Sequence, residues 1–109
     1  MRSMIWGAVG VLVWITAAQA VEESKGKAVY ESRCAFCHGA DGRGDGPAGA
    51  ALQPPPTNFT DPKYWNMRGA EAIRLMIVSG KPGTAMLPFG QVLEPEEIDD
   101  VIEYLETFR

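Results

Sequence analysis

The stretch Cys34-Ala35-Phe36-Cys37-His38 determines how this 109-residue chain is interpreted. It holds both cysteines and the one histidine of the sequence, so all the thiol and imidazole chemistry lies together. Two thiols separated by two residues can each form a thioether to one porphyrin, and the adjacent imidazole can then bind the iron. Cys-x-x-Cys-His is the attachment pattern of haem c. The sequence therefore predicts one covalently bound haem c, with Cys34 and Cys37 as thioether residues and His38 as the proximal iron ligand.

Other chemistries of paired cysteines fit this sequence less well. A thioredoxin-like redox pair requires a βαβ unit, and the chain shows no alternating strand pattern. Structural zinc usually takes four Cys or His ligands, whereas this sequence has only two Cys and one His. A disulfide would suit an exported protein, but it would leave the adjacent His38 without a role.

Residues 1–20 have the features of a secretory signal. A positive residue precedes an apolar run from Met4 to Ile15, and Ala18-Gln19-Ala20 fits a small-x-small cleavage site. The run is shorter than the roughly 20 residues that a spanning helix requires. We therefore expect cleavage before Val21, export to the periplasm, and one domain over residues 21–109. An uncleaved segment that anchors this domain to the membrane is the alternative.

The charge balance of the chain is acidic, with 10 Lys and Arg against 14 Asp and Glu and a formal net charge of −4. Nucleic acid is a poor partner for such a surface, because phosphates require cationic side chains. A redox partner with a basic docking surface is consistent with it, because complementary fields accelerate encounter. An equally consistent explanation is that the acidity keeps an exported protein soluble.

Three helices are predicted, separated by loops rich in glycine and proline. The first covers Ser24 to Arg33 and the second covers Gly69 to Ser79, each with an apolar stripe. The third begins at Pro95, which suits the first helical position, and has the clearest apolar period. Residues 34–62 are predicted to be mostly loop, because Pro54-Pro55-Pro56 and several glycines break any helix. The chain is therefore predicted to be all-α.

The second axial ligand of the iron decides the function of a haem site. A methionine closes the iron for electron transfer, whereas an open position allows a ligand to bind or react. Beyond the signal, the candidates are Met67, Met76 and Met86. Met76 lies on an apolar helix face, where core packing is the default role, and Met67 precedes that helix. Met86 lies in a loop, Lys81 to Phe89, whose prolines and glycine suit it to hold a thioether in place.

These pieces together resemble a bacterial class I cytochrome c with one haem and His/Met ligation. The resemblance covers essentially all of the mature region. It rests on the Cys34 to Gly39 motif, the Pro54-Pro55-Pro56 loop, the Pro82 to Phe89 loop and the first and last helices. It implies a small fold with three main helices and long loops wrapped around one covalently attached haem.

The resemblance also implies roles for individual residues. Met86 corresponds to the distal iron ligand. Gly26 and Tyr30 of the first helix would meet Tyr104 where the first and last helices cross. These assignments come from the family pattern and do not follow from the spacing of the residues in this chain alone.

Three further haem contacts are predicted with weaker support. In the family, a proline carbonyl after the motif accepts a hydrogen bond from the proximal histidine, a contact that makes the ligand more basic. Here the carbonyl would come from Pro54, Pro55 or Pro56, with Pro55 as the candidate. Trp65 and Arg68 are candidates for contacts with the haem propionates, since an indole N–H or a guanidinium can bind a carboxylate. Packing for Trp65 and a solvated side chain for Arg68 are the alternatives.

The sequence thus predicts a periplasmic electron-transfer protein, a one-electron carrier that cycles its haem between Fe(II) and Fe(III). Its partners would be a redox donor and a redox acceptor, and we expect no catalytic residue and no enzyme activity of its own. The alternative is a haem c subunit of a larger periplasmic or membrane oxidoreductase complex. A gas-binding or peroxide-binding haem protein would need an open iron position, which the Met86 loop argues against.

Overall fold

The structure is a computed structural model that describes residues 10, 12, 14 and 16–109. Five helices follow one another in this part of the chain: α1 (Ala17–Arg33), α2 (Ala35–His38), α3 (Pro62–Met67), α4 (Ala70–Ser79) and α5 (Pro95–Glu106). No strand occurs among the described residues. The predicted all-α class is confirmed.

The first helix is longer than the sequence predicts, because α1 begins at Ala17 rather than at Ser24. The apolar stripe could not reveal this start, since the described side chains of the first turns are exposed. Most of the predicted signal lies outside the described residues, which omit positions 1–9, 11, 13 and 15. The predicted cleavage point before Val21 falls within α1 and stays a prediction. Among the described residues, no helix is both long and apolar enough to cross a membrane.

The predicted second and third helices correspond to α4 and α5. Gly69 is the N-cap of α4, and Gly80 follows its last residue with a φ of 70° that favours glycine. Pro95 opens α5, as predicted. The preceding Glu94 is not a preferred capping residue, but its N–H donates to Oε1 of Glu97 at 2.9 Å. This contact is half of a capping box and fixes the start of α5.

The sequence pattern does not predict the two short helices, α2 and α3. The single turn α2 contains most of the Cys-x-x-Cys-His motif. In α3, Pro62 takes the first helical position, and the carboxylate of Asp61 accepts the N–H of Lys63 at 3.0 Å. An aspartate cap followed by proline is a known helix start. The Asp61-Pro62 pair is therefore a local signal for α3, at the end of a segment that was predicted to be mostly loop.

The core forms where α1 packs across α5. Gly26 permits this approach, because the carbonyl of Asp100 occupies the space that a Cβ at Gly26 would need. The ring of Tyr30 is fully buried and lies 5.4 Å from the ring of Tyr104, measured between centroids. The helix crossing implied by the resemblance is therefore present.

The rest of the core extends from this crossing toward α4 and the loop before α3. Phe59 and Trp65 bring that loop and α3 into the core. Leu93, just before α5, is part of the same core. The buried apolar residues are Val29, Tyr30, Phe59, Trp65, Ile73, Ile77, Leu93, Ile98, Val101, Ile102 and Leu105. Several of them form the floor of the cavity described next.

Candidate haem-binding site

The cysteine motif lies at the end of α1, where the chain makes one further helical turn. The N–H of Cys34 bonds to the carbonyl of Tyr30 at 2.8 Å, which continues α1 to the motif. The N–H groups of Cys37 and His38 then bond to the carbonyl of Cys34 at 3.2 and 2.9 Å. This turn directs all three functional side chains into one cavity. Neither cysteine forms a disulfide, so both thiols are free to form thioethers.

The cavity has about 1120 Å³ of empty space, including the solvent at its mouth. Its lining comes from the motif, the proline-rich loop, the inner face of α4 and the loop after α4. Most lining side chains are apolar, as expected for a site that takes a large, flat, apolar ligand. The apolar residues of the lining include Phe36, Leu52, Pro54, Pro55, Pro56, Phe59, Ile73, Ile77, Leu87, Phe89 and Leu105.

Three contacts hold the His38 region in place. Its Nδ1 lies 3.2 Å from the carbonyl oxygen of Thr57. The ring of Phe59 stacks on the imidazole, with centroids 4.8 Å apart and planes inclined by 28°. The hydroxyl of the buried Tyr30 donates to the carbonyl of Gly39, the next residue along the chain, at 2.5 Å. Both the ring orientation of His38 and the backbone beside it are therefore fixed by the protein.

The Thr57 contact also determines which nitrogen of His38 can bind a metal. A carbonyl oxygen only accepts hydrogen bonds, so Nδ1 must carry the proton and Nε2 keeps its lone pair. Burial lowers the pKa of His38, although the bond to Thr57 acts in the opposite direction. The imidazole is therefore held neutral, with Nε2 available as an iron ligand.

The carbonyl acceptor differs from the one that the resemblance implied. The prediction named Pro55 from the proline run, but the structure gives this contact to Thr57. Pro55 instead lines the cavity. The carbonyl of Pro56 lies against Gly44, 2.5 Å from the place of a Cβ on that glycine. The carbonyl that faces His38 is therefore the next one along the chain.

The loop that carries Met86 is held by its own hydrogen bonds. The hydroxyl of Thr84 donates to the carbonyl of Lys81 at 2.7 Å and accepts the N–H of Met86 at 3.1 Å. The N–H of Lys81 returns to the carbonyl of Met86 at 3.3 Å. Gly80 packs directly against this loop, with the Met86 carbonyl oxygen 2.8 Å from where its Cβ would be. The half-buried Met86 lines the same cavity as His38.

The other two methionines are placed differently from each other. Met76 lies on α4 and also lines the cavity, so it belongs to the site as well as to the helix face. Met67, at the end of α3, is 76% exposed and contributes to a small surface pocket instead. Among the described residues, the thioethers that reach the cavity are therefore those of Met76 and Met86.

The two candidates for propionate contacts do not line the cavity. The indole N–H of Trp65 donates to the carbonyl of Phe59 at 2.7 Å, so a backbone acceptor already occupies it. The guanidinium of Arg68 lies over the ring of Tyr64, 5.2 Å from its centroid, beside the surface pocket. The charged side chains of the described lining are instead those of Arg33 and Lys81. Arg33 was missed, although its position directly before the motif was the available signal.

The geometry disfavours a zinc site. Burial, followed by the neighbouring Cys37, raises the pKa of the Cys34 thiol to about 11, so this thiol is protonated at neutral pH when nothing is bound to it. Within the described part of the chain, no group of three or more His, Cys, Asp or Glu side chains is arranged to hold a metal ion. The free thiols, the neutral imidazole, the thioethers and the apolar walls together fit a covalently attached haem.

Comparison with known proteins agrees with this fit. The sequence pattern of the family described as Cytochrome c matches residues 23–109. Cytochrome c6 of Gloeothece citriformis (strain PCC 7424) is 32% identical over 92 residues, which are 84% of this chain and 76% of that protein. The KustC0563 c-type cytochrome has a TM-score of 0.64 and 30% identity, covering 77% of this chain and 96% of its own.

A second solved structure comes from a larger assembly. It is described as the Kuenenia stuttgartiensis reducing HAO-like protein complex Kustc0457/Kustc0458. The TM-score is 0.66 at 32% identity, and the alignment covers 77% of this chain. It covers 41% of the matched chain, which is therefore considerably longer.

The chain belongs to the class I cytochrome c family. Its small helical fold is the fold of c-type cytochromes, and its cofactor is covalently bound haem c with iron. The protein is accordingly a haem c electron carrier that acts with redox partners. The two free cysteines of the Cys-x-x-Cys-His motif are consistent with that covalent attachment.

Proposed function

We propose that this protein is a periplasmic one-electron carrier in which His38 and Met86 are the two axial ligands of the haem iron. The observation that carries the proposal is that His38, Met86 and both motif cysteines line one apolar cavity. When bound, the haem supplies a one-electron couple in which iron alternates between Fe(II) and Fe(III).

The polypeptide holds both ligands firmly. Thr57 and Phe59 fix the imidazole of His38, while the hydrogen bonds of Thr84 fix the backbone of Met86. A ligand that stays in position in both oxidation states limits the rearrangement that accompanies each electron transfer. With the haem bound, the apolar walls would limit the access of water to the iron, which strengthens electrostatic interactions within the site. These features support electron transfer over ligand binding or activation.

The polypeptide also determines what surrounds the mouth of the cavity. Phe36 and Leu87 line the cavity and are 69% and 68% exposed, so an apolar surface borders the site. Arg33 and Lys81 also line it, and the described lining contains no acidic side chain. The acidic net charge is consistent with a partner that has a basic surface, but the charged side chains that line the cavity are themselves basic. We propose that a partner approaching this mouth presents carboxylates around an apolar patch.

The export of the protein rests on residues 1–20. Their apolar run and the Ala18-Gln19-Ala20 site support cleavage before Val21 and delivery to the periplasm, with residues 21–109 as the mature domain. Sequencing the mature N-terminus tests this. A chain that begins at Met1 or Arg2 would indicate the membrane-anchored alternative.

A second candidate function is that of an electron-transfer subunit in a larger oxidoreductase. The observation that favours it is the likeness to one chain of the HAO-like protein complex, at 32% identity. In either case we propose that the chain transforms no substrate itself. Purification from the native cells separates the two functions, because a subunit would copurify with a catalytic chain at a fixed ratio and a free carrier would not.

The axial ligand is tested by two methionine variants of the protein matured with its haem. Met86→Ala should abolish the sulfur-to-iron charge-transfer absorption of the oxidised protein and allow carbon monoxide to bind the reduced protein at neutral pH. Met76→Ala is the matched control, because Met76 lines the same cavity from α4. It should keep the absorption and stay closed to carbon monoxide. The reverse result would transfer the ligand role to Met76.

A further inference from the structure

The segment from Thr57 to Phe59 makes two separate contacts with His38. The carbonyl oxygen of Thr57 lies 3.2 Å from Nδ1 of His38, and the ring of Phe59 stacks on the imidazole at 4.8 Å. The segment has no regular secondary structure of its own. The position of the Thr57–Phe59 segment must therefore depend on contacts between its backbone and the rest of the protein.

Two hydrogen bonds hold that backbone at Phe59. The N–H of Phe59 donates to the carbonyl of Gly42 at 2.6 Å, which ties the segment to the loop after the motif. The carbonyl of Phe59 accepts the indole N–H of Trp65 at 2.7 Å, which ties it to α3. Of these two anchors, only the indole is a side chain, so only it can be removed by substitution without changing the backbone.

Trp65 is well suited to act as an anchor. It is 8% exposed, and its ring makes an edge contact with Tyr64 at 5.4 Å between centroids. The guanidinium of Arg109 covers the ring, 5.1 Å from its centroid. Trp65 does not line the cavity. Its polar group is therefore directed at the Thr57–Phe59 segment, and the surrounding contacts restrict its ring.

We propose that Trp65 is a positioning residue that sets the strength of the hydrogen bond between His38 and Thr57, and through it the reduction potential of the haem. The proposal rests on the proposed function, because His38 must be an axial ligand. A partner that accepts a proton from the outer nitrogen makes an imidazole a stronger electron donor and favours the higher oxidation state. If the anchor is lost, Thr57 can move away from His38 and the potential rises.

The alternative is that Trp65 only fills space. Under that alternative, replacing Trp65 lowers the stability of the protein. The reduction potential of the haem then changes no more than it does for a substitution at an equally buried residue elsewhere. A comparison of stability alone cannot separate the two explanations. The reduction potential separates the two explanations, because it responds to the hydrogen bond at His38 and not to the loss of packing around Trp65.

The test uses Trp65→Phe, which keeps an aromatic ring and removes the indole N–H, in the haem-loaded protein. Val101→Ala is the matched control, because Val101 is 1% exposed on α5 and does not line the cavity. Contacts around a metal ligand usually change affinity or activity by about 10–100-fold. Trp65 acts one contact further away, so we expect a smaller change. At a fixed ambient potential, the Fe(III)/Fe(II) ratio of Trp65→Phe should fall about threefold, an upward shift of about 28 mV at 59 mV per tenfold.

The outcomes distinguish this proposal from the proposed function. A potential in Trp65→Phe that matches the Val101→Ala control overturns the positioning role and leaves the electron carrier intact. A wild-type protein that carries no haem, or whose iron is not bound by His38 and Met86, would instead contradict the proposed function. If Trp65→Phe does not fold, hydrogen exchange of the wild-type indole N–H tests the bond to Phe59 on which the proposal depends. In the reduced protein it should exchange at least about a hundredfold more slowly than a free indole, and unprotected exchange would overturn the proposal.

Discussion

Gly26→Ala is the substitution for which the structure gives the sharpest expectation about the fold. A Cβ at this position would overlap the carbonyl oxygen of Asp100, and would lie 2.8 Å from its carbonyl carbon and 2.9 Å from Cβ of Tyr104. All three atoms belong to α5 or are fixed close to its backbone, so no flexible side chain can move aside. The methyl group therefore has to push α1 and α5 apart.

Two opposing effects determine the magnitude. Alanine is favoured over glycine inside a helix by about 1 kcal/mol. Inserting a methylene-sized group into a packed core costs about 1–3 kcal/mol, and the upper end applies here because the obstacle is backbone. The expected net loss in the free energy of unfolding is about 2 kcal/mol. For a domain of this size, 1 kcal/mol corresponds to about 4–8 °C, so Tm should fall by about 8–16 °C.

Thermal unfolding of the haem-loaded protein, followed by far-UV circular dichroism, measures this difference. Gly69→Ala is the control, because no heavy atom lies within 4 Å of the place of its Cβ and its φ is −89°. Because Gly69 is the N-cap of α4, where alanine is less favoured than glycine by about 0.5–1 kcal/mol, the control should lower Tm by about 2–8 °C, less than Gly26→Ala. If Gly26→Ala were as stable as the wild-type protein or more so, helix propensity would outweigh crowding and the close crossing of α1 and α5 would be refuted.

Two further predictions concern ionisation and the charges at the cavity. Burial raises the pKa of Tyr30 above its usual value of 10.0, so the neutral phenol is favoured in the folded state. Ionisation of this group should not affect the free energy of unfolding below about pH 10 and should lower it at higher pH. In alkaline denaturation curves, the Tyr30→Phe variant should lose less stability above about pH 10 than the wild-type protein does. Lys81→Glu should slow oxidation of the reduced protein by the anion ferricyanide and accelerate oxidation by a cationic cobalt complex, because it reverses a charge at the cavity. Both effects should become smaller at high salt. Lys63→Glu, outside the cavity lining, is the control, and equal effects would contradict a local role for Lys81.

The predictable parts of this protein are those whose signals are local in the chain. The motif at Cys34, Cys37 and His38 needs one helical turn to bring its side chains together, and the structure supplies it as α2. The apolar period and Pro95 likewise predicted α5, because the helix buries one continuous face. The Asp61-Pro62 start of α3 is an equally local signal, although residues 34–62 were predicted to be mostly loop.

The parts that could not be predicted depend on contacts between distant segments. Which carbonyl faces His38 depends on the path of the loop past Gly44, and the sequence of three prolines followed by Thr57 does not show that path. The acceptor of the Trp65 indole is the carbonyl of Phe59, and the position of Phe59 depends on a hydrogen bond to the distant Gly42. The net charge could not show where the charges lie, because it is a sum over the whole chain: seven of the 14 acidic residues lie within residues 94–106, whereas the basic Arg33 and Lys81 line the cavity.

The central claim is that one haem is bound covalently to this polypeptide, and the intact mass of the denatured protein tests it most directly. The protein should be produced in a host that attaches haem to exported proteins and then unfolded before measurement, so that any non-covalent cofactor is lost. We expect the mass of the chain beginning at Val21 plus one haem. A polypeptide mass with no addition, from a host that modifies a known c-type cytochrome in parallel, would contradict the account.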